Sequence, residues 1–210
     1  YGGVQGDYFD NPERFIFFSR ALIALGPTVN FIPDVIMAND WQTGLVMSLL
    51  HLGAMPRTAG VFCVQNMGFL GLVPPERNGA IGLPDRYYGM EGLEYFGQMS
   101  LLKAGIVFSN MVTTVSPTYA KEIQTPEGGH GLDGVMRSVS HKLQGIINGI
   151  DYGTWNPAAD KYLAANYSPA DLSGKSACKR ELLKEMGLGE ELMDKPLAGI
   201  VSRLSPQKGL

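Results

Sequence analysis

Polar side chains directly follow several short apolar runs in this sequence. In the stretch DVIMANDWQTGL, the run Val35–Ala38 gives way at once to Asn39, Asp40, Trp41 and Gln42. Comparable groups follow the other apolar runs: Gln65 and Asn66; Ser116 and Pro117; Asn148, Gly149 and Asp151; Ser202, Arg203 and Lys208. Mixed hydrogen-bond donors and acceptors around an aromatic ring suit the hydroxyl groups of a sugar, and an Arg–Lys pair suits phosphates. These residues therefore predict a sugar site with a cationic pair for phosphate groups.

Several of these residues have a structural alternative. Asp40 could cap the helix that begins near Trp41, could serve a site, or could do both. Ser116 before Pro117 fits a helix N-cap better than a catalytic role. Asn148 followed by glycine is by default a turn. For Trp41, packing against the following helix and stacking on a sugar both stay open.

The apolar runs must belong to the elements that position these side chains. We predict strands at 35–38, 60–64, 112–115, 145–147 and 197–201 because each run is short enough to be buried on both faces. The predicted helices are Thr43–Leu52, Met90–Phe108, Pro117–Gln124 and Ser173–Met186. Strands that alternate with helices predict an α/β fold with a parallel sheet covered on both faces. Ligands bind such sheets at the carboxyl ends of the strands.

A further helix is predicted near the start of the sequence. Pro12 suits its first turn, with Asn11 as the cap, and Gly26 suits its exit. Helical spacing places four large apolar residues on the face expected to meet the core: Phe15, Phe18, Leu22 and Leu25.

Two connections rich in glycine interrupt the alternation of strands and helices. Residues 66–89 also contain prolines and aromatic side chains, and residues 125–134 read TPEGGHGLDG. Long loops of this kind are typically functional, so we interpret the first as an ordered excursion near the site. His130 and His141 stand in polar contexts and are expected to be solvated, whereas His51 on an apolar helix is expected to be structural.

Composition argues against several classes of partner. The 210 residues carry a formal net charge of -3 and no basic run, which gives little support to a nucleic-acid or anionic-membrane partner. No apolar segment approaches the roughly 20 residues of a transmembrane helix. The two cysteines, Cys63 and Cys178, suit a reducing cytoplasm, and we predict no protein-held metal because no zinc-type spacing occurs. Both ends look cut, so we expect a fragment.

Four motifs, in the correct order and spread along essentially the whole chain, resemble bacterial glycogen synthases and plant starch synthases. They are DVIMANDWQTGL, LLKAGIVFSNMVTTVSPTYAKEIQTPEGGHGLDGVM, LQGIINGIDYGTWNPAAD and GIVSRLSPQKGL. The resemblance implies a retaining glycosyltransferase of the GT-B fold, in which two Rossmann-like domains face each other across a cleft. Residues 1–170 would belong to the N-terminal glucan-acceptor domain, 171–194 to a linker region, and 195–210 to the start of the nucleotide-sugar domain.

The resemblance also implies a reaction and its participants. A cytoplasmic enzyme would transfer glucose from ADP-glucose to the 4-hydroxyl of an α-1,4-glucan, with retention and without a further cofactor. Asp40 would lie near the transferred glucose and Asn148 would face the sugar pocket. Arg203 and Lys208 would grip the donor diphosphate. Trp41, Gln42 and Asn66 complete the candidate substrate-binding residues.

Three residues depart from the family pattern: Gln65 stands in place of a histidine, Phe69 of a tyrosine and Leu70 of a glutamine. The family reads His-Asn after the second of these strands, in a pattern like VHNxxYQG, whereas this chain reads VQNMGFLG. Gln65 therefore replaces a histidine that lies beside the donor glucose in the family. Glutamine cannot become a cation or shuttle a proton, so weakened transfer is expected. The alternatives are a catalytically impaired glucan-binding paralogue and a transferase that uses another sugar nucleotide.

Overall fold

The computed structural model describes residues 2–3, 6–204 and 208. The chain divides into two compact units, residues 1–148 and 149–210. The functional division at residue 170 that the sequence suggested stays a prediction.

The first unit contains all the strands of the described residues and seven of their helices. In chain order these are β1 Gly2–Gly3, β2 Gly6–Asp7, α1 Asn11–Thr28, β3 Val35–Asn39, α2 Gly44–His51, β4 Ala59–Val64, β5 Leu72–Val73, α3 Asn78–Ile81, β6 Glu94–Tyr95, β7 Gln98–Ser100, α4 Leu101–Phe108, β8 Met111–Thr114, α5 Pro117–Glu122, α6 Pro126–Gly129, α7 Asp133–Ser138 and β9 Leu143–Gly145. Short 3-10 turns lie at Trp41–Thr43, Pro75–Arg77, Asp85–Tyr87 and Ser140–Lys142.

A four-stranded parallel sheet with the order β3-β4-β8-β9 forms the centre of this unit. The predicted α/β class and its parallel sheet are confirmed. The apolar runs located β3, β4 and β8 to within about one residue. The fourth strand lies two residues before its predicted position, because Leu143–Gly145 pair with β8 and the chain leaves the sheet after Ile146 donates to Thr114 O.

Close packing of α2 and α4 depends on glycine. A Cβ on Gly44 would lie 1.8 Å from the carbonyl oxygen of Leu101, and a Cβ on Gly105 would lie 2.2 Å from Cζ of Phe62. The two helices can therefore approach each other at backbone distance, and α4 packs directly on the Phe62 ring of β4. Leu45, Val46 and Leu102 are fully buried there. This contact fixes the start of α2 directly behind the end of β3.

The predicted buried face of α1 is largely wrong. Only Phe15 packs partly against the core, whereas Phe18, Leu22 and Leu25 are 45%, 37% and 52% exposed. The buried positions are Asn11, Ile16, Ser19 and Gly26. Small residues allow close backbone approach, as at Gly26, where a Cβ would lie 2.8 Å from Phe31 O. Hydrophobic periodicity cannot detect a contact made through small side chains.

The predicted helix Met90–Phe108 forms only in its second half. The first half folds into β6 and β7, a tight antiparallel pair in which Tyr95 pairs with Gln98. Phe96 and Gly97 both have positive φ angles, 47° and 81°, at this turn. A helix cannot continue through such residues. Strand β7 then pairs with β5, so this excursion contains a three-stranded antiparallel sheet with the order β5-β7-β6.

The second unit contains helix α8, Gly174–Glu185, and a 3-10 turn at Glu190–Leu192. Helix α8 agrees with its predicted position. The strand predicted at Leu197–Val201 does not form, and the described residues of this unit contain no other strand with which it could pair. Among the described residues, no helix is long and apolar enough to cross a membrane.

Candidate functional site

The carboxyl ends of the sheet strands bring the first group of predicted site residues together. The register pairs Asn39 with Cys63, so Asp40 stands level with the last residue of β4. Asp40 N donates to Cys63 O at 3.0 Å, which ties the end of β3 to β4. Gln65 and Asn66 follow immediately. Asp40, Gln65 and Asn66 thus lie next to one another, as predicted.

The Asp40 carboxylate is held by backbone amides of the neighbouring strand end. Its Oδ1 accepts hydrogen bonds from Gln65 N at 2.8 Å and Asn66 N at 3.4 Å. It makes no capping bond to the 3-10 turn that follows it, so the capping alternative is not realised. Within the described residues Oδ2 has no protein partner, and because Asp40 is only half-buried this oxygen is available to a ligand.

The backbone of Asp40 is strained. Its φ of 54° and ψ of -178° lie in a region that is essentially restricted to glycine. Such a conformation costs roughly 1–3 kcal/mol and persists only where the surroundings impose it. The bonds to the 65–66 backbone and the packing of α2 impose it here. Strain of this kind concentrates at functional sites, which supports a role for Asp40 beyond local structure.

The side chains after β4 present amide groups. Gln65 is exposed, and its Nε2 donates to Asn39 Oδ1 at 3.1 Å. Asn66 Oδ1 accepts from Gly68 N at 2.9 Å, which closes a turn and leaves the amide nitrogen without a protein partner in the described structure. Uncharged amides beside a fixed carboxylate suit a neutral, polyhydroxylated ligand.

Helix α5 supports the loop that follows β4. Ser116 caps this helix by accepting from Tyr119 N at 2.9 Å, as predicted. The Tyr119 hydroxyl in turn accepts from Met67 N at 3.1 Å. Burial of the phenol raises the pKa of Tyr119, and the negative charge of Asp40 acts in the same direction. The phenol therefore stays neutral next to the carboxylate.

Trp41 is a buried packing residue at the base of this region. Its ring contacts Phe15 edge to face at a centroid distance of 4.9 Å and lies against Gly71, where a Cβ would come within 2.5 Å. It also lines a cavity of about 290 Å³ together with Gly68 and Phe69. Gln42 lies in the same 3-10 turn, half-buried, with its carbonyl near Ser19 Oγ. Both remain predicted substrate-binding residues.

Asn148 lies along the same edge of the sheet but beyond its far strand. It follows β9, which is separated from β3 by β4 and β8. Three inter-strand spacings correspond to roughly 14 Å in the plane of the sheet. Asn148 is exposed, and the described structure gives its side chain no contact with Asp40.

Arg203 and Lys208 belong to the second unit. Both are exposed, and neither has an ion-pair partner among the residues that the structure describes. Residues 205–207 and 209–210 of the predicted SRLSPQKGL motif lie outside the described residues. A diphosphate-binding role for Arg203 and Lys208 stays a prediction.

His130, for which the polar sequence context predicts a solvated side chain, borders this candidate site. A Cβ placed on Gly68 would lie 3.1 Å from Asn66 Oδ1 and 3.8 Å from Cε1 of His130. His130 follows α6 with a left-handed φ of 49°. The glycine-rich sequence TPEGGHGLDG indicates an unusual backbone, but it does not indicate that His130 faces the loop that follows β4.

Groups that could hold a metal are absent from the described part of the chain: no three His, Cys, Asp or Glu side chains cluster there. Cys63 and Cys178 are both free thiols, and Cys178 Sγ donates to Ala165 O. The arrangement at the strand ends thus offers a carboxylate, amides and an imidazole, all suited to hydrogen bonding.

Comparison with known proteins gives consistent matches. Residues 1–138 match the family described as starch synthase catalytic domain. The chain is 53% identical over 210 residues to glycogen synthase of Desulfatibacillum aliphaticivorans and 48% identical over 215 residues to that of Syntrophotalea carbinolica. All of the chain is covered in both cases, but only 44% of each relative.

A solved structure also matches this chain closely. It is the catalytic domain of starch synthase IV from Arabidopsis thaliana bound to ADP and acarbose, with a TM-score of 0.84 and 36% sequence identity. The match covers 97% of this chain and 43% of that one. The chain thus spans less than half the length of the proteins it matches.

Proposed function

We propose, since the chain belongs to the family of starch synthase catalytic domains, that the complete protein is a cytoplasmic glycogen or starch synthase. It transfers glucose from ADP-glucose to the non-reducing 4-hydroxyl of an α-1,4-glucan, with retention of configuration. The observation that carries the proposal is the Asp40 carboxylate, fixed by the amides of Gln65 and Asn66 with one oxygen open to a ligand.

In this proposal the open oxygen of Asp40 accepts a hydroxyl hydrogen of the transferred glucose and stabilises positive charge that develops on its ring. A carboxylate that is already oriented needs no reorganisation during the reaction, which is the source of most electrostatic catalysis. The half-buried position of Asp40 strengthens this effect relative to water. Gln65, Asn66 and Asn148 supply further hydrogen bonds to sugar hydroxyls.

The leaving group of this reaction is a nucleoside diphosphate, which accumulates negative charge as the glycosidic bond breaks. A guanidinium binds two phosphate oxygens at once, and an ammonium adds a compact charge. We assign these two parts to Arg203 and Lys208. The support for this assignment is the match of their motif to the family, together with their exposure and lack of ion-pair partners in the described chain.

A second candidate is a glucan-binding paralogue with impaired chemistry. Gln65 favours it, because the amide is engaged by Asn39 and cannot carry the charge of the histidine that the family has at this position. A third is a transferase that uses another sugar nucleotide. Intact Asp40, Arg203 and Lys208 favour the synthase.

The test is an assay of the complete protein with maltoheptaose and either ADP-glucose or UDP-glucose, in which nucleotide release and chain length are followed together. Chain extension with release of ADP supports the synthase. Binding of maltoheptaose without nucleotide release supports the paralogue. Extension with UDP-glucose alone identifies a different donor.

A further inference from the structure

His130 lies in a constrained backbone position between α6 and α7. It is one of four non-glycine residues with left-handed φ in the described chain: Asn30, Asp40, Phe96 and His130. Two of these four, Asp40 and His130, border the same group of strand ends. Histidine tolerates this conformation better than most residues, but it still needs support from its surroundings.

That support comes from Tyr95, 35 residues earlier in the chain. The Tyr95 hydroxyl donates to His130 O at 2.8 Å. The next residue, Gly131, is packed so tightly that a Cβ there would lie 2.6 Å from the same hydroxyl. Tyr95 is in turn fixed in β6, which pairs with β7. The backbone that carries the imidazole is therefore anchored to a different layer of the unit.

The far edge of the imidazole faces the loop that follows β4. The atoms closest to a Cβ built on Gly68 are Asn66 Oδ1 at 3.1 Å, then Cε1 and Nε2 of His130 at 3.8 and 3.9 Å. Any side chain at position 68 would enter the space between the amide and the ring. Neither ring nitrogen of His130 has a hydrogen-bond partner in the described structure, and the same holds for the amide nitrogen of Asn66.

We propose that His130 is a substrate-binding residue of this site, whose imidazole hydrogen-bonds a sugar hydroxyl beside Asn66. This inference rests on the proposed function and extends it to a residue from a separate loop. Imidazole offers one donor and one acceptor when neutral, which matches the dual character of a hydroxyl.

The test replaces His130 by glycine in the complete protein. Glycine accepts the positive φ, so the backbone persists while the ring is lost. We expect KM for one sugar substrate to rise roughly 3- to 10-fold with kcat little changed, as befits one neutral hydrogen bond. A rise in KM for maltoheptaose shows that the ring contacts the acceptor, and a rise in KM for ADP-glucose shows that it contacts the donor.

Asn30→Gly is the matched control, because Asn30 also has a positive φ of 54° and is exposed after α1. It should leave both KM values unchanged. His130→Asn, which keeps the left-handed preference but shortens the reach, should reproduce the KM rise. If both KM values of the His130 variants stay within twofold of the parent, the inference is overturned.

The inference and the proposed function can fail separately. If the parent protein transfers no glucose, the proposed function fails, and calorimetric titration with maltoheptaose and ADP-glucose replaces the kinetic assay. Weaker binding of either compound by His130→Gly than by Asn30→Gly then still supports a contact between the ring and a sugar. Equal binding of both compounds by the two variants overturns it.

Discussion

The Asp40 carboxylate accepts a hydrogen bond from the backbone nitrogen of Gln65 across a distance of 2.8 Å, which links the ends of two neighbouring parallel strands. One oxygen is used for this link, together with a longer bond from Asn66 N, and the other oxygen stays open. The residue is thus both a structural tie and the principal charged group of the candidate site. Its two roles can be separated by substitution.

Asp40→Asn should reduce glucosyl transfer by the complete protein about 100- to 1000-fold, as for the loss of one preoriented electrostatic group. Asparagine keeps an oxygen for the amide bonds and has the same Cβ as aspartate, so the backbone strain is unchanged and the free energy of unfolding should change by less than about 1 kcal/mol. Steady-state kinetics and urea unfolding check the two parts. Asp34→Asn, before the start of β3, is the control and should retain activity; a fully active Asp40→Asn enzyme would exclude the proposed role.

The strain at Asp40 predicts that glycine at this position gives a more stable protein than alanine, the reverse of the usual order. Asp40→Gly should be more stable than Asp40→Ala by about 1–3 kcal/mol, because both lose the carboxylate but only alanine keeps a Cβ at this φ. Urea unfolding of the two variants measures the difference. At Asp34, which lacks a positive φ, alanine should match or exceed glycine. Equal stability of the two Asp40 variants would show that the backbone there is unstrained.

Gln65→His in the complete protein should raise the rate of transfer, by about 100-fold if the ring acts as a positioned proton-transfer group. The substitution also removes the amide bond to Asn39. Gln65→Ala removes the same bond without adding imidazole and should not raise the rate. No increase in Gln65→His would show that glutamine at this position does not limit turnover.

Tyr119→Phe should destabilise the protein by about 1–3 kcal/mol at pH 7, because the N–H of the buried residue Met67 loses its acceptor. Burial raises the pKa of Tyr119 above its ordinary value of 10.0. A group whose pKa is raised on folding stabilises below its unfolded pKa and loses that contribution as pH rises through the folded pKa.

The parent should therefore lose stability above pH 10 more steeply than Tyr119→Phe does. Urea unfolding at pH 7 and above pH 10 measures both effects. Tyr152→Phe is the control, because Tyr152 is 70% exposed and its hydroxyl has no hydrogen-bond partner in the described structure. A Tyr119→Phe variant with parental stability would show that water replaces the phenol at Met67.

The sequence by itself determined the sheet and the edge at which the candidate site lies. The runs that became β3, β4 and β8 are continuously apolar, as is typical of parallel strands, although Val35 and Met37 of β3 are 55% and 60% exposed. Asp40, Gln65 and Asn66 stand where those runs end, and parallel pairing brings the carboxyl ends of such strands together. Ser116 was likewise identified as a cap from its neighbour Pro117, since the signal for a cap is local.

Only the tertiary structure decided the contacts made between segments far apart in the chain. It turned the Asp40 carboxylate toward the amides of Gln65 and Asn66 after β4 instead of its own helical turn. It also placed Trp41 against Phe15 and Gly71. It brought His130 to Gly68 through a bond to Tyr95. Periodicity and capping rules describe neighbours within a few residues along the chain, whereas these contacts depend on how separate layers pack, and no local pattern encodes that packing.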